Sequence, residues 1–145
     1  MVDFENYANQ VLAKFGYKKT PNRSLILRAL AETQKPLSAY DIQNVFEGEA
    51  KLNVVTVYRT LELLESLGLI HKVVATDGYY PCAFKDADLS DTDHGFLVCR
   101  SCEHVEEFID EHHCKGSEKT LAQAKGFSCE KHIQEVVGLC ASCQR

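Results

Sequence analysis

Two pairs of cysteines, Cys99/Cys102 and Cys140/Cys143, constrain this chain more than any other feature. Two residues between cysteines let both thiolates reach one tetrahedral ion from a tight turn, and two such knuckles complete a closed four-sulfur zinc site. A closed site is structural, and it pulls residues 99 and 143 to one place whatever the chain between them does. The 37 residues between Cys102 and Cys140 exceed the spacing of common zinc fingers. Coincidence or disulfide formation are the alternatives. The N-terminal stretch MVDFENYANQ has neither the basic flank nor the apolar run of a secretory signal, which favours metal over disulfide and leads us to expect a cytoplasmic protein.

Length and composition set the frame around those knuckles. The chain has 145 residues, 45% apolar and 26% charged, with room for one ordinary domain or two small ones. No run approaches the roughly 18 apolar residues that a membrane span needs. The formal net charge of -5 argues against a nucleic-acid partner only until it is divided. Residues 1 to 84 hold nine basic and nine acidic side chains, whereas residues 85 to 145 hold seven and twelve. Between positions 14 and 35, Lys14, Lys18, Lys19, Arg23, Arg28 and Lys35 face only Glu32, a local excess suited to phosphates. The second part holds five of the six histidines and six of the seven cysteines, so metal chemistry concentrates there.

The first part reads as helices. Phe4, Tyr7, Val11 and Leu12 recur near helical spacing over residues 3 to 14, and Gly16 ends the segment. In TPNRSLILRALAET, Thr20 is an N-cap and Pro21 the first helical residue; Leu25, Ile26, Ala29 and Leu30 form an apolar face, and Pro36 stops the helix. Ser38 and Asp41 make a variant capping box for a third helix that runs to about Glu47. In NVVTVYRTLELLESLG, Val57, Leu61 and Leu64 share a narrow arc, Val55, Tyr58, Arg59, Glu62 and Ser66 face away, and Gly68 closes the helix. LIHKVVA and YYPCAF flank Thr76-Asp77-Gly78, which predicts a β-hairpin with Asp-Gly at its turn. Three helices followed by a hairpin are the winged helix-turn-helix pattern.

The polar stretch KDADLSDTD predicts a linker. Beyond it, HGFLVC and VEEFI predict strands, GSEKTLAQAKGF a helix closed by Gly126, and FSCEKHIQEVVGLC a third strand. The expected fold class is α+β: a winged-helix domain over 1–84, a linker over 85–93 and a small α+β metal-binding domain over 94–145.

A second donor set is weaker from the residues alone. His71 and Cys82 lie on the two hairpin strands, His94 follows the linker, and Glu107 stands five residues past Cys102. Nitrogen, sulfur, nitrogen and oxygen form a reasonable zinc set, and the thiolate disfavours harder ions such as manganese. Spacing alone does not bring them together, and an isolated histidine or cysteine in a hairpin is more often a surface imidazole or a buried thiol.

TPNR, SAYDI, TVYRTLELLESLGLIHKV, YYPCAF, VCRSC and GLCASC, in this order and spacing, resemble the ferric uptake regulator family of bacterial metalloregulators, and within it the zinc-sensing branch. The resemblance covers nearly the whole chain. It implies a repressor that binds palindromic double-stranded promoter DNA as a homodimer when loaded with metal, controls zinc uptake genes, holds two zinc ions per chain and dimerises through its second domain. Cys99, Cys102, Cys140 and Cys143 look like the structural zinc ligands, and His71, Cys82, His94 and Glu107 like the regulatory ones. Iron sensors carry a carboxylate where this chain has Cys82, and the softer sulfur suits zinc. They also carry a histidine cluster where this chain has Asp93-His94-Gly95-Phe96.

The same resemblance assigns the fourth helix to the major groove, with Arg59 pairing to a guanine edge, Tyr58 beside it and Tyr40 flanking. By periodicity alone Arg59 is equally a solvated helix residue. Lys14, Lys18, Lys19, Thr20 and Arg23 are expected on phosphates. Asp93, Cys114 and His132 occupy places where some members bind a further metal, but the set is incomplete and no tight third site is expected. His104, His112 and His113 are expected as solvated side chains, and Cys129 as a core or inert thiol. An iron- or peroxide-responsive regulator would share this fold and carry histidine or carboxylate in place of Cys82. An enzyme is not expected. A thiol oxidoreductase needs an accessible thiolate at a helix start, and a zinc deaminase would show H-x-E upstream of P-C-x-x-C.

Overall fold

In the computed structural model, which describes residues 3–46, 52–83, 93–110, 117–128 and 134–145, four helices open the chain. They are α1 (Phe4–Lys14), α2 (Pro21–Glu32), α3 (Ala39–Val45) and α4 (Val54–Ser66). Each starts at a side chain that accepts a backbone N–H: Asp3 from Glu5, Thr20 from Arg23, Ser38 from Asp41 and Asn53 from Val55. The box at α3 is reciprocal, with Ser38 Oγ accepting from Asp41 N at 3.1 Å and Asp41 Oδ2 accepting from Ser38 N at 2.9 Å. α1 and α4 end alike. Gly16 and Gly68, at φ 83° and 72°, turn left-handed so that Tyr17 N bonds to Leu12 O and Leu69 N to Leu64 O. α2 stops at Glu32, ahead of Pro36, where the Thr33 hydroxyl turns back to accept from Lys35 N. α3 ends at Val45 with Phe46 as its cap, shorter than the expected run to Glu47, which lies outside the described residues.

The helices close on one core. Ile26, Leu27, Leu30, Ile42, Val57, Leu61 and Leu64 are fully buried, joined by Ala8 and Leu12 from α1. Each such side chain contributes roughly 1.5–3 kcal/mol, set against the entropy of ordering the chain. The predicted split of α4 holds: Val57, Leu61 and Leu64 face in, while Val55, Tyr58 and Arg59 are exposed.

β1 (Ile70–Val73) pairs antiparallel with β2 (Gly78–Pro81). The hairpin exists, but its turn differs from the expected one. Val73 pairs with Gly78, so the connection is Val74–Asp77, a 3-10 turn followed by Asp77 in the left-handed region at φ 53°. Gly78 is therefore a strand residue, and its lack of a side chain serves packing. A Cβ there would stand 2.7 Å from Pro36 Cβ and 2.9 Å from the Pro36 carbonyl carbon. Next to it, Tyr79 exchanges two main-chain bonds with Leu37, at 2.7 and 3.0 Å, which ties β2 to the segment between α2 and α3. Helices plus this hairpin make the winged helix-turn-helix unit, Met1–Cys82.

The second unit, Ala83–Arg145, contains β3 (Asp93–Cys99), β4 (Val105–Asp110), α5 (Ser117–Ala124) and β5 (Gln134–Gly138). The sheet order is β4-β3-β5, with β3 antiparallel to β4 and parallel to β5. Between β4 and β5 the chain crosses from one sheet edge to the other, and α5 lies in that connection. Phe96, Val98, Cys99 and Val105 are its buried apolar residues among those described. The expected linker falls on residues outside the described ones, except Asp93, which opens β3. Among the described residues no helix is long and apolar enough to cross a membrane.

Gly78→Ala drives a methyl group into the main chain at Pro36. We expect a loss of about 1–3 kcal/mol in stability, read as a lower urea midpoint for the helical circular dichroism signal. An unchanged midpoint would show that the Pro36 turn yields without cost.

Candidate metal centres and nucleic-acid interface

Parallel pairing of β3 with β5 sets Cys99 opposite Gly138, so both knuckles leave the same end of the sheet. The first is closed by Cys99 N bonding to His104 O and Glu103 N to Cys99 O, each at 2.9 Å, with Glu103 left-handed at φ 62°. Arg100 N bonds to Gly138 O at 2.9 Å and fastens the first knuckle to the second. The second sits on a 3-10 turn, Ala141–Gln144, where Cys143 N bonds to Cys140 O. The four sulfurs lie within 4.8 Å of one another, and those of Cys102 and Cys140 are 3.7 Å apart. A tetrahedral ion with bonds of about 2.3 Å requires sulfur–sulfur edges of about 3.8 Å. A disulfide requires about 2.05 Å. The spacing fits a zinc ion and excludes a bond between those two sulfurs.

The cluster is electrostatically uneven. Backbone N–H groups of Cys102 and Cys140 point at the Cys99 sulfur, the latter at 3.3 Å, and hold its thiol down to about 6. Cys143 shares its proton with the sulfur of Cys140 and is pushed up to about 12. One sulfur is thus a thiolate at neutral pH while a neighbour keeps its proton, and a divalent cation displaces protons from such a set.

Two further donor pairs arise from one strand geometry, used once in each unit. In the hairpin, His71 stands opposite Tyr80, and Cys82 N continues the ladder by bonding to Leu69 O at 2.9 Å. Cys82 is therefore the diagonal neighbour of His71 on the same face, and their donor atoms lie within 4.8 Å. In the second unit, His94 stands opposite Ile109 and Phe96 opposite Glu107, which makes Glu107 the diagonal neighbour of His94. His94 Nδ1 is 2.7 Å from Glu107 Oε1, and Glu107 Oε2 accepts the Ala83 N–H at 2.7 Å. The first pair offers nitrogen and sulfur, the second nitrogen and oxygen.

The remaining predicted residues fall on the helices. Tyr40 and Tyr58 are 58% and 40% exposed and meet edge to face, ring centroids 6.5 Å apart, with Arg59 exposed beside them. Lys14, Lys18 and Lys19 are exposed around the turn from α1 to α2, and Thr20 and Arg23 are half-buried at the start of α2. The first turn of α2 holds no acidic residue.

The ferric uptake regulator family model matches residues 14–137. The chain belongs to that family. As a member it is a transcriptional metalloregulator. The zinc uptake regulation protein of Escherichia coli K12 is 32% identical over 94% of this chain and 78% of its own length. The ferric uptake regulation protein of Bacillus subtilis 168 is 33% identical over 88% and 85%. Among solved structures, a zinc uptake regulator complexed with zinc and DNA superposes with a TM-score of 0.85 at 30% identity, covering 97% of this chain and 92% of that one.

Some details escaped the sequence. Gly95 lies under the Phe108 ring, which fills the place of a Cβ. His104, expected as a solvated side chain, is half exposed and has Glu106 as partner at 3.0 Å. His104 directly precedes β4, so an i, i+2 spacing along extended chain was the available signal. Cys114, His132, His112, His113 and Cys129 lie outside the described residues, as does the side chain of Asp93.

Zinc binding to the four-cysteine cluster should release at least about two protons per ion at pH 7, because neighbouring sulfurs hold the Cys102 and Cys143 thiols above the ordinary thiol range and both keep their protons there. Affinity then falls as pH falls, since the Cys102 and Cys143 thiols must lose their protons to bind. Calorimetry of a Cys82→Ser chain in buffers of different ionisation enthalpy measures the number. Release of one proton or none would mean that the sulfurs do not bind together.

Proposed function

We propose that this family member is a zinc-responsive repressor: a cytoplasmic homodimer that binds palindromic promoter DNA of zinc uptake genes when its regulatory site is filled. Residues 1–84 serve as the DNA-binding domain, 85–93 as linker and 94–145 as the dimerisation domain. The observation that carries the zinc assignment is Cys82, a sulfur donor diagonal to His71, because thiolate favours zinc over harder ions. Similarity to a zinc uptake regulator solved with zinc and DNA supports the same choice.

Two zinc ions per chain are assigned. Cys99, Cys102, Cys140 and Cys143 hold the structural one, which fastens the ends of β3 and β5. His71 and Cys82 from the first unit and His94 and Glu107 from the second hold the regulatory one. When bound there, zinc supplies a cross-link between the two units. The residues do the rest: His71 and Cys82 engage only when the winged-helix unit adopts one orientation, so ligation draws the population toward it. In a dimer that orientation sets two α4 helices about one helical turn of DNA apart, roughly 34 Å, matching a palindrome.

On each half-site Arg59 pairs with a guanine edge, Tyr58 and Tyr40 flank it, and Lys19, Thr20 and Arg23 hold phosphates with Lys14 and Lys18. The similarity to a ferric uptake regulation protein makes iron or peroxide sensing the second reading. An iron sensor would be expected to carry an oxygen or nitrogen donor in place of the Cys82 sulfur.

Metal analysis of Cys82→Ser should give a folded dimer with one zinc per chain and no DNA shift on zinc addition. A normal zinc response from that variant, or a shift in the parent chain driven by ferrous iron and not zinc, overturns the regulatory assignment. Arg59→Ala is expected to lose about 1–3 kcal/mol of discrimination between operator and scrambled DNA, whereas Lys19→Ala weakens both alike. Equal loss on both sequences from Arg59→Ala removes its readout role.

A further inference from the structure

Tyr17 has no part in the metal sites or in the reading of bases, yet its place in the turn between α1 and α2 is closely specified. Gly16, left-handed at φ 83°, closes α1 so that Tyr17 N bonds to Leu12 O at 2.9 Å. The chain then has three residues, Lys18 to Thr20, before α2 begins at Pro21. Arg23 is fixed from the other side. Its backbone N–H is bonded to the Thr20 hydroxyl at 3.2 Å, inside the first turn of α2. Its guanidinium donates to Lys18 O at 2.6 Å and lies over the Tyr17 ring, 5.7 Å from the centroid.

A long, flexible arginine on an exposed basic turn ordinarily loses much of its rotamer freedom when it grips an anion. Here one hydrogen bond and one ring face hold the guanidinium before any anion arrives. A planar guanidinium has five N–H donors, and the carbonyl takes only one direction. The others stay available to a phosphate, with Lys18 and Lys19 exposed beside them.

We infer that Tyr17 is a positioning residue for DNA binding: its ring pre-sets Arg23 to grip a backbone phosphate. The inference rests on the reading of Arg23 as a phosphate contact. The ring, not the hydroxyl, does the positioning, so Tyr17→Phe keeps the effect and Tyr17→Leu loses it.

The test uses the zinc-loaded full chain and a mixed-sequence DNA duplex at low salt, because phosphate grip is independent of sequence. Fluorescence anisotropy should show Tyr17→Leu binding about two- to fivefold more weakly per chain and Tyr17→Phe binding like the parent. In an Arg23→Ala background Tyr17→Leu should cost nothing further, a result that a merely structural role for Tyr17 would not give. Thermal melting of each variant confirms that the fold is kept. Tyr17→Leu equal to the parent, Tyr17→Phe as weak as Tyr17→Leu, or full additivity with Arg23→Ala each overturns the inference. Failure of the underlying reading looks different: Arg23→Ala then binds as the parent does, or the parent itself does not bind.

Discussion

Four sulfur atoms meeting across a separation of 37 residues are the constraint on which the second unit depends. That unit has about sixty residues, too few to bury a core that secures it, and its described buried apolar side chains are Phe96, Val98, Cys99 and Val105. Its sheet also asks for a parallel pairing, β3 with β5, between segments far apart in sequence. Zinc at a structural site of this kind supplies folding free energy on the order of 10 kcal/mol. The four sulfurs of this chain meet where the parallel ladder ends, so a metal held there would fix the strand register as well. The first unit needs no such clamp, because seven fully buried aliphatic side chains from α2, α3 and α4 form one continuous core.

The hairpin connects the two kinds of chemistry inside the first unit. Cys82 follows directly on β2, and three residues earlier the main chain of Tyr79 is bonded twice to Leu37. Leu37 precedes Ser38, the cap of α3, and Tyr40 stands in the first turn of that helix against Tyr58 of α4. Cys82 and the exposed Tyr40 are therefore joined through one run of backbone, by way of the Tyr79–Leu37 bonds. Gly78 lets this run lie against Pro36 at a distance no side chain permits.

Legibility in the sequence followed the range of the interactions. Thr20 with Pro21, and Ser38 with Asp41, bond to residues within one turn of themselves, so the helix starts could be read directly. The inward and outward faces of α4 were readable for the same reason. The hairpin turn was misplaced because Asp77-Gly78 has the composition of a two-residue turn, whereas the 3-10 turn over Val74–Thr76 moves the first pair to Val73 and Gly78. The Leu37 bridge joins residues 42 positions apart and leaves no local trace. At the metal sites, the paired spacing of the knuckles announced itself. Glu107 was less plain, entering the second donor set only as an acidic residue five positions past Cys102 until the register placed it diagonal to His94.

The placement of the knuckles also orders events during synthesis. Every residue of the first core has left the ribosome by Tyr79, so the winged-helix unit can fold while the rest is still being made. Cys99 and Cys102 emerge next and must wait, thiols exposed, until Cys140 and Cys143 arrive to complete the sulfur set. During that interval the nascent second unit is vulnerable to oxidation and to mispairing of β3. The 37 residues that separate the knuckles set how long the interval lasts.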